Sequence, residues 1–120
     1  MPKHPDALLL AVPAEPPARL ANVFFALGDV TRLQLVALLC AGGAFSITQL
    51  TTGTAISRQA VTKHLQVLSD AGLVKDLKIG RERLWQFDPA QMDEARKSLE
   101  RIGTQWEQAL GRLKAFAEDS

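Results

Sequence analysis

This chain has 120 residues and a mass of 13.1 kDa, and its residues are 47% hydrophobic, 22% charged and 6% aromatic. These are ordinary values for one globular domain. The longest apolar stretches, residues 8–12 and 35–41, are far shorter than the roughly 20 residues of a membrane-spanning helix. We therefore expect a cytoplasmic protein that makes no use of a membrane.

Reactive side chains are scarce in this sequence. The single cysteine, Cys40, excludes an internal disulfide, and its apolar surroundings predict a packed small hydrophobic residue; a redox switch is the less favoured alternative. There is no tyrosine, the two histidines His4 and His64 are far apart, and no glycine-rich phosphate loop is present. Because no set of nucleophile, base and orienting group is evident, we expect no catalytic residue and no enzyme.

The small net charge of +1 is unevenly distributed. Between residues 57 and 87 there are six cationic residues and three carboxylates, which gives this segment a local charge of +3. The rest of the chain is therefore mildly acidic. The net charge of the whole chain does not indicate nucleic-acid binding. The local basic segment is compatible with a nucleic-acid-binding surface.

The helices are predicted from apolar spacing and capping residues. Residues 1–17 contain most of the prolines and predict a flexible or irregularly packed arm. Helices are expected over residues 18–27, from Asp29 to the Gly42-Gly43 pair, over 47–52 after Ser46, and over 58–71 after Ser57. The second helix is apolar nearly all round, as expected of a central helix, with a stripe formed by Leu33, Val36, Ala37 and Cys40.

The last two of these helices are separated by a short turn and form a helix-turn-helix pattern. Residues 73–78 and 83–88 alternate in polarity around a turn and predict a β-hairpin, with Trp85 and Phe87 in the core. A long helix over residues 91–117 carries apolar residues at alternating three- and four-residue spacing. The predicted fold class is therefore mainly α with a β-hairpin wing, a winged helix-turn-helix over residues 18–88 with a C-terminal helix over 89–120.

A helix of this kind fits the major groove of DNA, which is about 12 Å wide and admits one α-helix. We predict DNA contacts from the outer face of the 58–71 helix and from the hairpin: Ser57, Arg58, Gln59, Thr62, Lys63, Gln66, Arg81 and Arg83. The alternative for the helix residues is a solvated face, Ser57 is first of all a helix cap, and Arg83 alternates onto the side of Trp85. For His64, a partly buried structural role is at least as well supported as a phosphate contact.

Three segments carry a family resemblance. ISRQAVTKHLQVL at residues 56–68, with DAGLV at 70–74, closely resembles the recognition helix of ArsR-type winged-helix repressors. ALGDVTRL at 26–33 is similar to the start of that family's second helix, although Val30 stands where proline is common, and GRERLWQF at 80–87 is similar to its wing. The resemblance extends over residues 18–116.

The resemblance implies a homodimeric regulator that binds double-stranded DNA at a palindromic operator and represses its own operon. In this family the first and last helices pack across the two-fold axis, which implies a dimer interface formed by Leu20, Phe24, Leu99, Ile102, Trp106, Leu110, Leu113 and Phe116. Trp106 as the lining of an effector pocket is the less favoured alternative.

The sequence departs from the metal-sensing members of the family. Residues 46–52 contain no cysteine, and no histidine follows His64, so we expect no metal site and no cofactor. An unknown small-molecule effector stays open. The competing function is a protein-interaction module without DNA binding, which predicts that removing the charges of Arg58, Lys63 and Arg81 leaves binding unchanged.

Overall fold

The computed structural model describes residues 18–119, so the predicted arm at residues 1–17 lies outside the described part of the chain. The elements in chain order are α1 (Ala18–Leu27), α2 (Val30–Gly42), β1 (Ala44–Ser46), α3 (Ile47–Thr52), α4 (Arg58–Asp70), β2 (Val74–Ile79), β3 (Glu82–Phe87) and α5 (Pro89–Glu118). The predicted mainly helical fold with a β-hairpin wing is confirmed.

The predicted capping residues begin the helices. The Asp29 carboxylate accepts the backbone N–H of Arg32 at 3.0 Å, and the Ser57 hydroxyl accepts that of Ala60 at 3.1 Å. At α3 the cap is reciprocal: the Ser46 hydroxyl accepts the Gln49 N–H, and the Gln49 side chain accepts the Ser46 N–H. Each cap satisfies amides that a helix leaves unpaired in its first turn, and so fixes where the helix starts.

The wing belongs to a three-stranded antiparallel sheet in which β3 lies between β1 and β2. Trp85 of β3 is opposite Phe45 on one side and Asp76 on the other. The two-residue turn between β2 and β3 has Gly80 at φ 62°, the left-handed conformation that glycine adopts without steric cost. The sequence does not predict β1, because three residues are too few to show alternation and β1 pairs with a partner about 40 positions away.

One hydrophobic core joins all the helices to the sheet. Val61, Leu65 and Leu68 of α4 are fully buried, with exposures of 0%. The core residues around them come from α1, α2, α3, the turn before β2, the sheet and the start of α5: Leu20, Val23, Leu35, Leu39, Leu50, Leu73, Val74, Trp85 and Ala95. This core holds one face of α4 and leaves its other face to solvent.

The predicted core stripe of α2 is wrong in all but one position. The buried residues are Leu35, Val36 and Leu39, whereas Leu33 is 50% exposed and Cys40 is also exposed. Because α2 is apolar nearly all round, helical spacing alone does not choose its buried face. The choice is made by its contacts with α4 and the sheet.

Leu20 was also assigned incorrectly. Its side chain is only 2% exposed and lies in the core of its own chain, so it is not a surface that a second chain can cover. Phe24, on the same helix, is 36% exposed.

Helix α5 has two unequal parts. Its first turns pack on the core through Met92 and Ala95, and Ser98 is its last buried residue. From residue 99 onward every described residue is exposed. This part carries the large apolar side chains Leu99, Ile102, Trp106, Leu110, Leu113 and Phe116, each between 45% and 75% exposed. Within the described chain no one helix has the length and apolarity of a membrane span, while the sharply bent pair α1 and α2 reaches that threshold by length and composition only.

Arg32, at the start of α2, contacts both α1 and α4. Its Nε donates to the Ala26 carbonyl at 2.6 Å and its Nη2 to the Phe25 carbonyl at 3.2 Å, both at the end of α1. Its guanidinium also lies 5.5 Å from the centre of the Phe25 ring. On α4, His64 Nδ1 is 3.4 Å from Arg32 Nη1, and the His64 side chain is 24% exposed. The expected partly buried structural histidine is therefore present.

The first prediction concerns the core beneath α4. Leu65→Ala removes a fully buried side chain and should lower the free energy of unfolding by about 2–5 kcal/mol, because the site loses apolar contacts and retains a cavity. Urea unfolding followed by circular dichroism measures the change. Lys63→Ala, on the exposed face of α4, is the control and should stay within about 0.5 kcal/mol. Equal effects of the two changes would contradict this account of the core.

A second prediction follows from the cap of α2. The Arg32 backbone N–H first, and then the charges of Arg32 and His64, hold the pKa of Asp29 below its ordinary value. A carboxyl whose pKa is lowered on folding stabilises the protein above its unfolded pKa, and this contribution disappears as the pH falls through the folded pKa. Asp29→Asn keeps a capping oxygen without the charge. The wild type should therefore be the more stable protein at pH 5, and urea unfolding should show the difference shrinking towards about pH 3. A difference that does not change with pH would contradict this assignment.

Candidate nucleic-acid interface

The outer face of α4 is polar and exposed. Arg58, Gln59, Thr62, Lys63 and Gln66 all lie on it, opposite the three fully buried core residues of the same helix. The Ser57 side chain caps the helix and is also exposed. The predicted helix residues are thus brought together on one exposed surface.

Contacts within the chain separate these residues into two groups. The Thr62 hydroxyl donates to the Arg58 carbonyl at 2.9 Å, and the Gln66 amide donates to the Asp70 carboxylate at 2.8 Å. Within residues 18–119, the side chains of Gln59 and Lys63 have no hydrogen-bond or ion-pair partner. Gln59 and Lys63 can therefore bind a ligand without losing a contact, whereas Gln66 has to exchange Asp70 for it.

The wing presents its cations unequally. Arg81 is exposed in the turn after Gly80, and Lys75 and Lys78 are exposed along β2. Arg83 is held in place, because its Nε donates to the Asp76 carboxylate at 2.9 Å and its guanidinium lies 4.6 Å from the Trp85 ring centre. The alternation of β3, which places Arg83 on the side of Trp85, was the sequence signal for this contact.

A polar cleft lies where α3, the start of α4 and the wing meet. Its volume is about 670 Å³, and its lining includes Arg58, Arg81, Arg83, Thr48, Gln49 and Glu82. Arg58 Nη1 donates to the Thr48 hydroxyl across the cleft at 3.3 Å. Thr48 and Gln49 were not predicted from the sequence. The only signal for them was the run of polar residues at positions 48, 49, 51 and 52 of a short capped helix.

The described residues offer no evident metal centre. No three His, Cys, Asp or Glu side chains between residues 18 and 119 are grouped closely enough to hold an ion. Cys40 has a free thiol and is exposed on α2.

Comparison with known sequences identifies the domain type. A family model described as a helix-turn-helix domain matches residues 27–76. The chain is 39% identical over 85 residues to the HTH-type transcriptional regulator Rv2034 of Mycobacterium tuberculosis, a match that covers 71% of this chain and 76% of the relative. It is 38% identical over 72 residues to the uncharacterized HTH-type transcriptional regulator YuzN of Bacillus subtilis, covering 55% of this chain and 78% of that protein.

Solved structures agree with the sequences. An ArsR-like transcriptional regulator from Rhodococcus sp. RHA1 superposes with a TM-score of 0.77 at 39% identity, covering 86% of this chain and 94% of that one. The transcriptional repressor BigR from Xylella fastidiosa superposes with a TM-score of 0.56 at 25% identity, covering 71% and 86% of the two chains. With its capped helix-turn-helix, its wing and these relatives, the chain belongs to the ArsR-like family of helix-turn-helix transcriptional regulators.

Proposed function

We propose that this chain is a sequence-specific DNA-binding repressor that acts in the cytoplasm as a homodimer on a palindromic operator. The observation that carries the proposal is the division of α4 into a fully buried face and an exposed polar face beside a basic wing. A helix held in this way can enter the major groove while the body of the domain stays on the DNA surface.

The residue types of α4 suit base reading. Gln59 and Gln66 each carry an amide that can donate to and accept from the edge of adenine, and Arg58 can contact guanine or phosphate. Thr62 and Lys63 contribute contacts to phosphate or base edges. At the wing, Arg81 reaches the DNA backbone or the adjacent minor groove, while Arg83 contributes charge that Asp76 partly offsets.

The second half of α5 supports a dimer. Trp106 is 64% exposed and Phe116 is 75% exposed, and both lie on an apolar stripe that continues for five turns beyond the core. A continuous apolar stripe on a small chain is typical of an interaction surface. A second copy of the same helix, with Phe24 of α1 at the edge, covers the stripe symmetrically and places two copies of α4 on one face of the DNA.

Repression follows if the dimer occupies DNA that RNA polymerase needs. The neighbouring BigR structure is named a repressor, which supports this sign of regulation. The relatives are transcriptional regulators, and we propose no catalytic activity and no metal requirement for this chain.

The third prediction is preferential binding to the DNA upstream of the protein's own gene. Fluorescence anisotropy with that duplex and with a scrambled duplex of equal length should show tighter binding to the upstream DNA at every salt concentration. The logarithm of affinity should fall steeply with that of salt, by a slope of about 0.9 per phosphate contacted. Arg81→Ala should reduce this slope by about 0.9, the contribution of one phosphate contact, on both duplexes. Gln59→Ala should instead reduce the difference in binding free energy between the upstream and the scrambled duplex by about 1–3 kcal/mol.

Lys97→Ala is the control for this experiment, because Lys97 is an exposed cation on α5 whose partners are Asp93 and Glu94. Its loss should leave both affinity and slope unchanged. Binding that Arg81→Ala and a Lys63→Ala variant leave intact would contradict DNA recognition and support the protein-interaction module.

A fourth prediction tests the dimer. Trp106→Glu places a charge within the apolar stripe of α5 and should shift the protein from dimer to monomer, because the carboxylate loses its hydration in the interface. Sedimentation velocity measures the change. Gln108→Glu adds the same charge on the side of the helix away from the stripe and should leave the dimer intact. A monomeric wild type at micromolar concentration would contradict the proposal.

A further inference from the structure

The β2–β3 hairpin holds one of its own cations in an internal contact. Arg83 Nε donates to the Asp76 carboxylate at 2.9 Å, and the Arg83 guanidinium lies 4.6 Å from the centre of the Trp85 ring. Asp76 is directly opposite Trp85 in the strand register, and Arg83 is two positions before Trp85 on β3. Because both relations keep side chains on the same side of a sheet, the three side chains share one face of the hairpin.

The other charged side chains of the hairpin differ from Arg83. Among residues 18–119, none of them has an ion-pair partner: Lys75, Lys78, Arg81 and Glu82. The contact between Asp76 and Arg83 is therefore specific, and does not follow merely from the presence of both charges on a short hairpin.

We propose that Asp76 is a positioning residue that limits the affinity of the wing for DNA, because it holds Arg83 against Trp85 instead of leaving it free for a phosphate. This inference rests on the proposed DNA-binding function. Phosphate contacts do not depend on base sequence, so a free Arg83 would raise the affinity for all DNA. With Arg83 held back, a larger share of the binding comes from α4.

The energetics of the pair fit a restraint on binding. The side chains of Arg83 and Asp76 are 56% and 50% exposed, and an ion pair at such a position contributes little to folding stability. Turning Arg83 towards a phosphate would leave the Asp76 carboxylate without its partner beside a polyanion. Like charges that are brought together in this way oppose binding.

Substitution of Asp76 removes this restraint and leaves the shape of the side chain unchanged. Asp76→Asn keeps an oxygen that can accept from Arg83 Nε, but it carries no charge to neutralise the guanidinium or to repel DNA. Glu82→Gln is the matched control, because it removes the same charge from the same hairpin at a carboxylate that does not pair with Arg83. Both substitutions are made in the full-length protein and again in an Arg83→Ala background.

Binding to the upstream and scrambled duplexes is measured by fluorescence anisotropy at several salt concentrations. Asp76→Asn should bind both duplexes about three- to tenfold more tightly at about 0.1 M salt, with a salt slope steeper by up to about 0.9, since one more phosphate is contacted. In the Arg83→Ala background the same substitution should change affinity by less than about twofold. Glu82→Gln should have the same effect with and without Arg83. Circular dichroism and urea unfolding confirm that the variants are folded.

The outcomes separate the restraint from the wider function. If the wild type prefers upstream DNA but Asp76→Asn binds no more tightly than the wild type, the restraint is wrong and the proposed function stands. If Asp76→Asn binds more tightly by the same factor with and without Arg83, the carboxylate acts through its charge alone, and the positioning role is wrong. If neither the wild type nor Asp76→Asn binds DNA at low salt, the proposed function is wrong, and the restraint with it.

Discussion

The structure depends on burying one face of α4 without burying the other. Val61, Leu65 and Leu68 are withdrawn from water completely, and contacts from four helices and the sheet are used to achieve this. The core packing uses only the apolar face of α4. Its polar face stays exposed to solvent and is available to bind a ligand. The caps at Ser46 and Ser57 fix where the two helices of the motif begin.

The orientation of α4 is coupled to the rest of the domain through Arg32. This side chain is bound to two carbonyls of α1 and contacts His64 on α4, so the end of α1, the start of α2 and the middle of α4 meet at one guanidinium. In the proposed dimer α1 lies beside the partner chain. These contacts connect the end of α1 to the face of α4 that is proposed to contact DNA.

The overall dimensions show that the chain consists of a compact domain and a long projecting helix. The described chain extends over 67 × 29 × 21 Å with a radius of gyration of 20.2 Å, compared with about 13 Å for a compact domain of 100 residues. The larger radius of gyration comes from the second half of α5, which does not pack on the core. Helices of this length are stabilised mainly by packing an apolar face, and among residues 18–119 nothing covers this face.

Local signals in the sequence predicted the helices, their caps and the wing, because each depends on residues a few positions apart. The buried face of α2 and the exposure of Cys40 were not predictable, since an almost wholly apolar helix fits a core in several rotations. The strand β1 depends on pairing with β3, and the cleft at Thr48 forms only where the wing, which is distant in sequence, meets α3 and α4. Arg83 was predicted as a DNA contact, but its pairing with Asp76 required the register of the hairpin. The DNA contacts and the dimer interface stay predictions.

The most direct test of the account is hydroxyl-radical footprinting of the protein on the DNA upstream of its gene. A dimer that inserts two copies of α4 into successive major grooves should protect two patches on one face of the duplex, with half-site centres about 10–10.5 base pairs apart. The protected sequences should be related by two-fold symmetry. A single protected patch, or protection spread evenly along the duplex, would contradict a symmetric, sequence-reading dimer.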